Sequence, residues 1–409
     1  MTESVRNYLI VTASYWGFTL VDGALRMLVL LHFFQLGYSP FTLAFLFLLY
    51  EFAGIVANLL GGWLATRFGI PRMLAVGQAL QIGGLLMLSA LDPGWTVAMS
   101  VAWVVAAQGI AGLAKDFTKT ASKSAIKATS AEGSGQLFKW VAWFTGSKNA
   151  MKGLGFFVGG LLLEAVGFKM ALWLMAALLA VIFVAGMVLL PRQLGKAKSS
   201  KSVRELFAKS RGINLLAAAR VFLFGARDVW FVVGVPVFLY ASGWTFTMVG
   251  TFLALWTIGY GLVQAAAPAG VKRSLDGLTQ EVRAARLWSF GLAVIPAAIA
   301  AILASNSGLR PDLILVAGLG LFGFAFAVNS SVHSYLILAY AGSEKAAEDV
   351  GFYYAANALG RFAGTLLSGL LYQWGGIYAC LIGSCLMLVA CFLATLALPG
   401  RDALVPARS

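Results

Sequence analysis

The chain has 409 residues, 60% apolar and only 11% charged, with a mean hydropathy of +0.85 and a formal net charge of +14. A water-soluble chain of this length carries about a quarter charged residues and cannot hide so much apolar surface, so an ordinary soluble globule is excluded. The bases are dispersed over short segments rather than gathered on one module, which removes nucleic acid as the partner and leaves the lipid bilayer.

Apolar runs of about 20 residues recur along the chain, the length that spans hydrocarbon as a helix. Twelve spans are predicted, centred near residues 22, 53, 82, 104, 153, 180, 227, 256, 295, 326, 362 and 386. The first apolar stretch, Tyr8 to Leu36, is too long for a cleavable signal. Short connections carry turn residues, as in Asp92-Pro93-Gly94, Gly167, Gly243, Ser307-Gly308 and Gly375-Gly376. The alternate connections are longer and basic. They hold 22 Lys/Arg, against two, Lys169 and Arg310, on the opposite side. That asymmetry predicts cytoplasmic N and C termini and, for a bacterial chain, the inner membrane.

The basic segment PRQLGKAKSSKSVRELFAKSRG divides the chain. It gives a six-helix half over 1–190, a cytoplasmic linker over 191–213 and a second six-helix half over 214–409. The halves resemble one another. Asp22 precedes Gly37 by 15 residues as Asp228 precedes Gly243, and Asn149 and Gly167 match Asn357 and Gly375. These matches, at offsets of 206 to 208, indicate a duplicated unit, the parallel repeat of facilitator-type transporters.

The stretch GGWLATRFGIPR resembles the signature of the major facilitator superfamily at Gly62, Leu64, Arg67 and Gly69. Thr66 stands where that pattern carries an acid, which leaves the usual charge latch open. The resemblance implies an all-α membrane protein of 12 helices in two pseudo-symmetric halves. Spans one, four, seven and ten would line a central cavity, with two, five, eight and eleven beside it.

Six bases fall inside the predicted spans: Arg26, Lys148, Lys152, Arg220, Arg227 and Arg361. All lie on spans one, five, seven and eleven. A base at mid-bilayer costs roughly 2.5–3.5 kcal/mol unless it meets water or a partner. They are therefore read as lining a wet cavity against only Asp22, Glu51 and Asp228, and surplus positive charge calls for an anionic small molecule. Asn329 and His333, on a polar stretch of span ten, are hydrogen-bonding candidates. Asp22, Glu51 and Asp228 are the candidates for proton coupling.

Blander readings stand beside these. Asp22 and Arg26, four residues apart, can form a packing ion pair. Arg227 and Asp228 project about 100° apart on a helix, which argues against a private pair. Arg220, six residues inside its span, is read first as reaching back to the cytoplasmic interface. Lys152 and Arg361 have no acid within a turn, which favours a ligand role. Lys115, Lys119, Lys123 and Lys127 recur every four residues in KDFTKTASKSAIK. They form a basic stripe that is ordinary cytoplasmic charge or, alternatively, draws anions to the cavity mouth.

Cys380, Cys385 and Cys391 share the last span at spacings of five and six, which do not converge three thiolates on a metal. His32 and His333 show no metal spacing, and no phosphate-cradling loop occurs, so neither metal nor cofactor is expected. Gly155 and Gly159, with Gly153 and Gly160, are read as a close helix contact. A membrane-embedded enzyme would need a converging nucleophile and base, and none is evident; a monomeric, non-enzymatic transporter is expected.

Four stretches resemble the organoarsenical efflux permeases, the ArsJ family: NYLIVTASYWGFTLVDGALRMLVLLHFF, AKDFTKTASKSAIK, GSKNAMKGLGFFVGG and FGARDVWFVVGVPVFLY. The resemblance runs from about Asn7 to Gly400. It implies export of 1-arseno-3-phosphoglycerate and arsenate resistance, with glyceraldehyde-3-phosphate dehydrogenase as a functional partner that makes the substrate from arsenate. The same cavity suits a sugar-phosphate or phosphate exchanger.

Overall fold

In the computed structural model, residues 3–57, 69–129, 136–191, 210–270, 278–305, 308–340 and 346–399 are described. The Gly62–Arg67 part of the signature stretch, most of the basic linker and the side chains of Lys123 and Lys127 lie outside the described residues. Among the described residues there is no strand. The bilayer dictates this, because its interior offers no water to unpaired backbone groups and a helix satisfies them within one segment.

The helices are α1 (Glu3–Gln35), α2 (Pro40–Ala57), α3 (Ile70–Ser89), α4 (Val97–Thr129), α5 (Gln136–Leu189), α6 (Arg211–Phe231), α7 (Gly234–Ala241), α8 (Phe246–Gly270), α9 (Thr279–Ala304), α10 (Pro311–Tyr340) and α11 (Ala346–Leu396). Among the described residues, ten spans are long and apolar enough to cross a membrane. Two of them, of 43 and 45 residues, are about twice the length that hydrocarbon requires. Each is broken by glycine: α5 at Gly167 (φ 77°), α11 at Gly375 and Gly376, the latter at φ 59°. Counting each arm gives the twelve crossings expected, and the matched glycines Gly167 and Gly375 stand at equivalent breaks.

The described chain forms two compact units. One comprises residues 1–38, 45–202 and 243–258; the other comprises 39–44, 203–242 and 259–409. In the first, α1 packs along α5 and α3 against α4. In the second, α6 packs along α11, and α9 against α10 and α11. Glycine permits both long contacts. A Cβ at Gly23 would come within 2.7 Å of the Lys152 carbonyl, and one at Gly155 or Gly159 would strike the α1 backbone at Leu20 or Ala24. Gly153 and Gly160 instead face Ala254 and Phe246 of α8. In the second unit Gly360 and Gly364 meet the α6 backbone at Val221 and Gly225 in the same way. The close-packing reading of the glycine cluster therefore holds.

The helix carrying Arg227 and Asp228 is discontinuous. It breaks at Val232 and Val233, one turn after this charged pair. The Ser368 hydroxyl of α11 accepts hydrogen bonds from Val233 N at 3.1 Å and Gly234 N at 3.2 Å. Backbone donors freed by the break are thus satisfied inside the protein, the condition under which a membrane helix can be interrupted.

Close packing makes a sharp expectation. Gly155→Leu and Gly364→Leu should each lower the melting temperature in detergent by roughly 5 °C or more, the scale of overpacking a tight core. Gly291→Leu, where a Cβ meets open space, should not. Scanning fluorimetry on the three variants reads this directly.

Candidate functional site

In the first unit the charges interlock across helices. Arg26 of α1 does not pair with Asp22: its Nη1 donates to Glu51 Oε1 of α2 at 2.9 Å, and Glu51 is 1% exposed. The Arg26 guanidinium also lies 5.3 Å from the Phe47 ring centroid and 5.7 Å from that of Tyr50. Asp22 accepts instead from the Tyr50 hydroxyl, at 2.7 and 2.8 Å to its two oxygens. The helical spacing that brought Asp22 and Arg26 to one face was right, but longer-range partners outcompete the turn-to-turn pair.

Lys115 departs from a solvent-facing stripe. Its ammonium sits 3.8 Å from the Tyr50 centroid, within the span Val97–Ser122. Its neighbour Asp116, 2% exposed, accepts from Lys119 at 3.4 Å. Sequence reasoning missed Asp116 because span four was centred too early. Its signal was the acid in KDF, the only carboxylate amid the four-residue lysine repeat. Tyr50 was missed as well; it is the hinge of the network, its hydroxyl on one charge and its ring under another. Lys148 and Lys152 are half-buried on α5, with Lys152 Nζ 5.7 Å from the Phe156 ring centroid.

In the second unit Asp228, 1% exposed, is shared by two arginines. Arg227 Nε donates to its Oδ1 at 2.6 Å, and Arg361 Nε of α11 donates to its Oδ2 at 3.3 Å. The expectation that Arg227 and Asp228 point apart is corrected: the long side chain of Arg227 curls back along its own helix and closes the pair. It rests among Phe224, Phe326 and Phe231, at 4.9, 5.6 and 5.8 Å from their centroids.

Arg220 is corrected too. It does not reach an interface; it is 4% exposed, and its Nη1 donates to the carbonyl and hydroxyl of Ser330 on α10, at 3.2 and 3.0 Å. The guanidinium lies between the rings of Phe224 (4.1 Å) and Tyr353 (4.8 Å). His333, fully buried, is one turn along α10 from Ser330 on the same face. Asn329 points elsewhere: its Nδ2 donates to Ser289 of α9 at 3.0 Å.

Other sequence candidates are dispersed. Cys380 donates to the Ser368 carbonyl and Cys385 to the Ala293 carbonyl, while Cys391 contacts the Ser289 hydroxyl at 3.8 Å. His32 stacks on Phe168 at 4.0 Å.

The Arg26–Glu51 pair is buried, so removing one partner strands the other. Glu51→Ala should destabilise the protein by about 3–5 kcal/mol, whereas the double change Arg26→Met with Glu51→Leu should recover most of that. Denaturation midpoints of the single and double variants test it. A double variant as unstable as Glu51→Ala would show that the pair is not the unit.

No curated protein matches the chain in sequence. Among solved structures, the crystal structure of a point mutant of the nucleoside transporter NupG superposes with a TM-score of 0.72 at 15% identity, covering 95% of this chain and 98% of that one. That likeness establishes the fold. Residues 8–304 match the family described as Major Facilitator Superfamily. A multi-pass helical membrane protein with two glycine-broken double spans, this chain belongs to the major facilitator superfamily of secondary transporters.

Proposed function

We propose that this transporter exports a small organic oxyanion, 1-arseno-3-phosphoglycerate, across the bacterial inner membrane with both termini cytoplasmic, and so confers arsenate resistance. The observation that carries the reading lies in the second unit. Two guanidiniums, Arg227 and Arg361, share the single buried carboxylate of Asp228, and the buried Arg220 has no carboxylate within ion-pair distance among the described residues. Cations in a membrane interior are costly without matching charge, so a binding partner that supplies it stabilises the loaded state. Arginine forks suit the flat oxygen edges of phosphate and arsenate; in the first unit, taken by itself, Lys148 and Lys152 are point charges of the same sign. A nucleoside, the substrate named for the structural relative, is neutral and leaves that charge unmatched. The sequence resemblance to organoarsenical permeases names the same chemical class.

In this reading glyceraldehyde-3-phosphate dehydrogenase supplies the substrate from arsenate without touching the transporter. His333 contributes a hydrogen bond, whereas Asn329 is turned to Ser289. The carboxylates of Asp22, Glu51 and Asp228 carry the coupling proton; protonation of Asp228 would end its competition with the anion for Arg227 and Arg361.

Everted vesicles should accumulate arsenic from arsenate only when the dehydrogenase, its aldehyde substrate and NAD are present. Accumulation of free arsenate without them would sink the organoarsenical assignment, and accumulation of a plain sugar phosphate would favour the exchanger. Lys152→Gln, Arg227→Gln and Arg361→Gln should each cut that uptake by roughly tenfold or more, the loss expected for one charge-assisted contact, with the protein still in the membrane.

Coupling has its own readout. Collapsing the pH gradient across the vesicles should slow uptake, and Asp22→Asn should make the residual rate insensitive to the gradient. Uptake in the native protein that ignores the gradient would remove the proton from the cycle.

A further inference from the structure

Arg220 stands apart from the other membrane arginines, because among the described residues no carboxylate lies within ion-pair distance of it. It is nevertheless 4% exposed, and its Nε has no hydrogen-bond partner. A buried guanidinium left in this state is unfavourable, and proteins tolerate it where a ligand completes it.

Its surroundings are rich in donors and poor in acceptors. Ser330 Oγ is approached by Arg220 Nη1 at 3.0 Å, by Gln264 Nε2 at 3.3 Å and by the Tyr260 hydroxyl at 3.5 Å. A serine hydroxyl offers two lone pairs, which Arg220 and Gln264 already fill, and its contact with Tyr260 can run in either direction. An oxyanion oxygen beside it would accept from Arg220 Nε, which the hydroxyl leaves without a partner. His333 is 0% exposed and neither ring nitrogen has a partner, so a neutral imidazole there holds an N–H in reserve.

Distance links this group of side chains to the Asp228 cluster. The guanidinium carbons of Arg220 and Arg227 lie 4.1 and 4.9 Å from the centroid of the same ring, Phe224. Together those distances cap their separation at about 9 Å, close enough for one short molecule to reach both. Arg227 and Arg361 are already partly neutralised by Asp228; Arg220 is not.

We propose that Arg220, with Gln264, Tyr260 and His333, forms a second anion subsite that takes one charged end of a two-ended substrate while Arg227 and Arg361 hold the other. This deepens the anion-export reading and rests on it. The ligand class is a short carbon chain bearing an oxyanion at each end, and the subsite is what separates such a molecule from a singly ended phosphate ester.

The test compares two stable probes on purified full-length protein in lipid nanodiscs by calorimetry: 3-phosphoglycerate, anionic at both ends, and glycerol 3-phosphate, anionic at one. The native protein should prefer the first. Arg220→Gln should weaken 3-phosphoglycerate by about 30-fold and glycerol 3-phosphate by less than about threefold, as expected for loss of one charge-assisted contact to one end. Gln264→Leu should show the same selective loss on a smaller scale, and serves if Arg220→Gln does not fold. Arg227→Gln should weaken both probes. Equal weakening of both probes by Arg220→Gln, the mark of a structural role, would overturn the subsite, as would no weakening of either. Both of those results would leave the anion reading in place. A native protein that binds neither probe would overturn both.

Discussion

A charge inside hydrocarbon must find a partner, and where it finds one decides what each part of this molecule can do. In the first unit the demand is met internally. Arg26 takes Glu51, Lys119 takes Asp116, and Asp22 is held by a phenol whose ring also receives Lys115. Each of these three carboxylates has a donor, although Arg26 Nη2 and Asp116 Oδ2 are left without a hydrogen-bond partner. In the second unit one carboxylate serves two arginines and a third arginine rests on a serine and two aromatic rings. In the proposed reading, the same physical demand, left unmet, is what an anion would satisfy.

Aromatic rings make this asymmetry tolerable. The π face of Phe224 sits beside both Arg220 and Arg227, and Tyr353 and Phe326 add further faces. A ring quadrupole lowers the cost of a desolvated cation without cancelling its charge, worth about 2 kcal/mol when water is excluded. A carboxylate in the same place would neutralise the arginine and compete with an incoming oxyanion. Rings instead of acids keep a cation buried and still available.

The fold was legible because its determinants are local and periodic. Apolar runs long enough to cross a bilayer announce helices, and Gly167 and Gly375 mark where two of them break. Gly155 and Gly159, four apart, announced a helix contact that the backbone of α1 fills. Much of the inventory of bases within the spans was legible for the same reason, but Lys115 and Lys119, inside Val97–Ser122, read in sequence as part of a cytoplasmic stripe. The pairings were not legible. Arg26 with Glu51 spans 25 residues, Arg361 with Asp228 spans 133, and Arg220 with Ser330 spans 110. No periodicity within one helix reports which residue faces it from another. Arg227 shows a second limit: Cβ directions predicted divergence, but an arginine has enough rotatable bonds to fold back on its neighbour. Asp116 shows a third, because a span centred a few residues early turns a buried acid into a loop charge.

The break between α6 and α7 ties the charge argument to movement. Asp228 lies four residues before Val232, and Ser368, which caps the donors freed by the break, lies two turns beyond Arg361 on α11. One face of α11 therefore holds both the ion pair and the cap. A shift of α11 that lengthens the Arg361–Asp228 contact also disturbs the cap, and the reverse is equally true. An oxyanion that draws Arg361 away from Asp228 acts on the backbone at a point where no continuous helical ladder resists it. That coupling needs no distant pathway: a guanidinium held by Asp228 and a hydroxyl with two backbone donors sit on one helix, so moving the first disturbs the second.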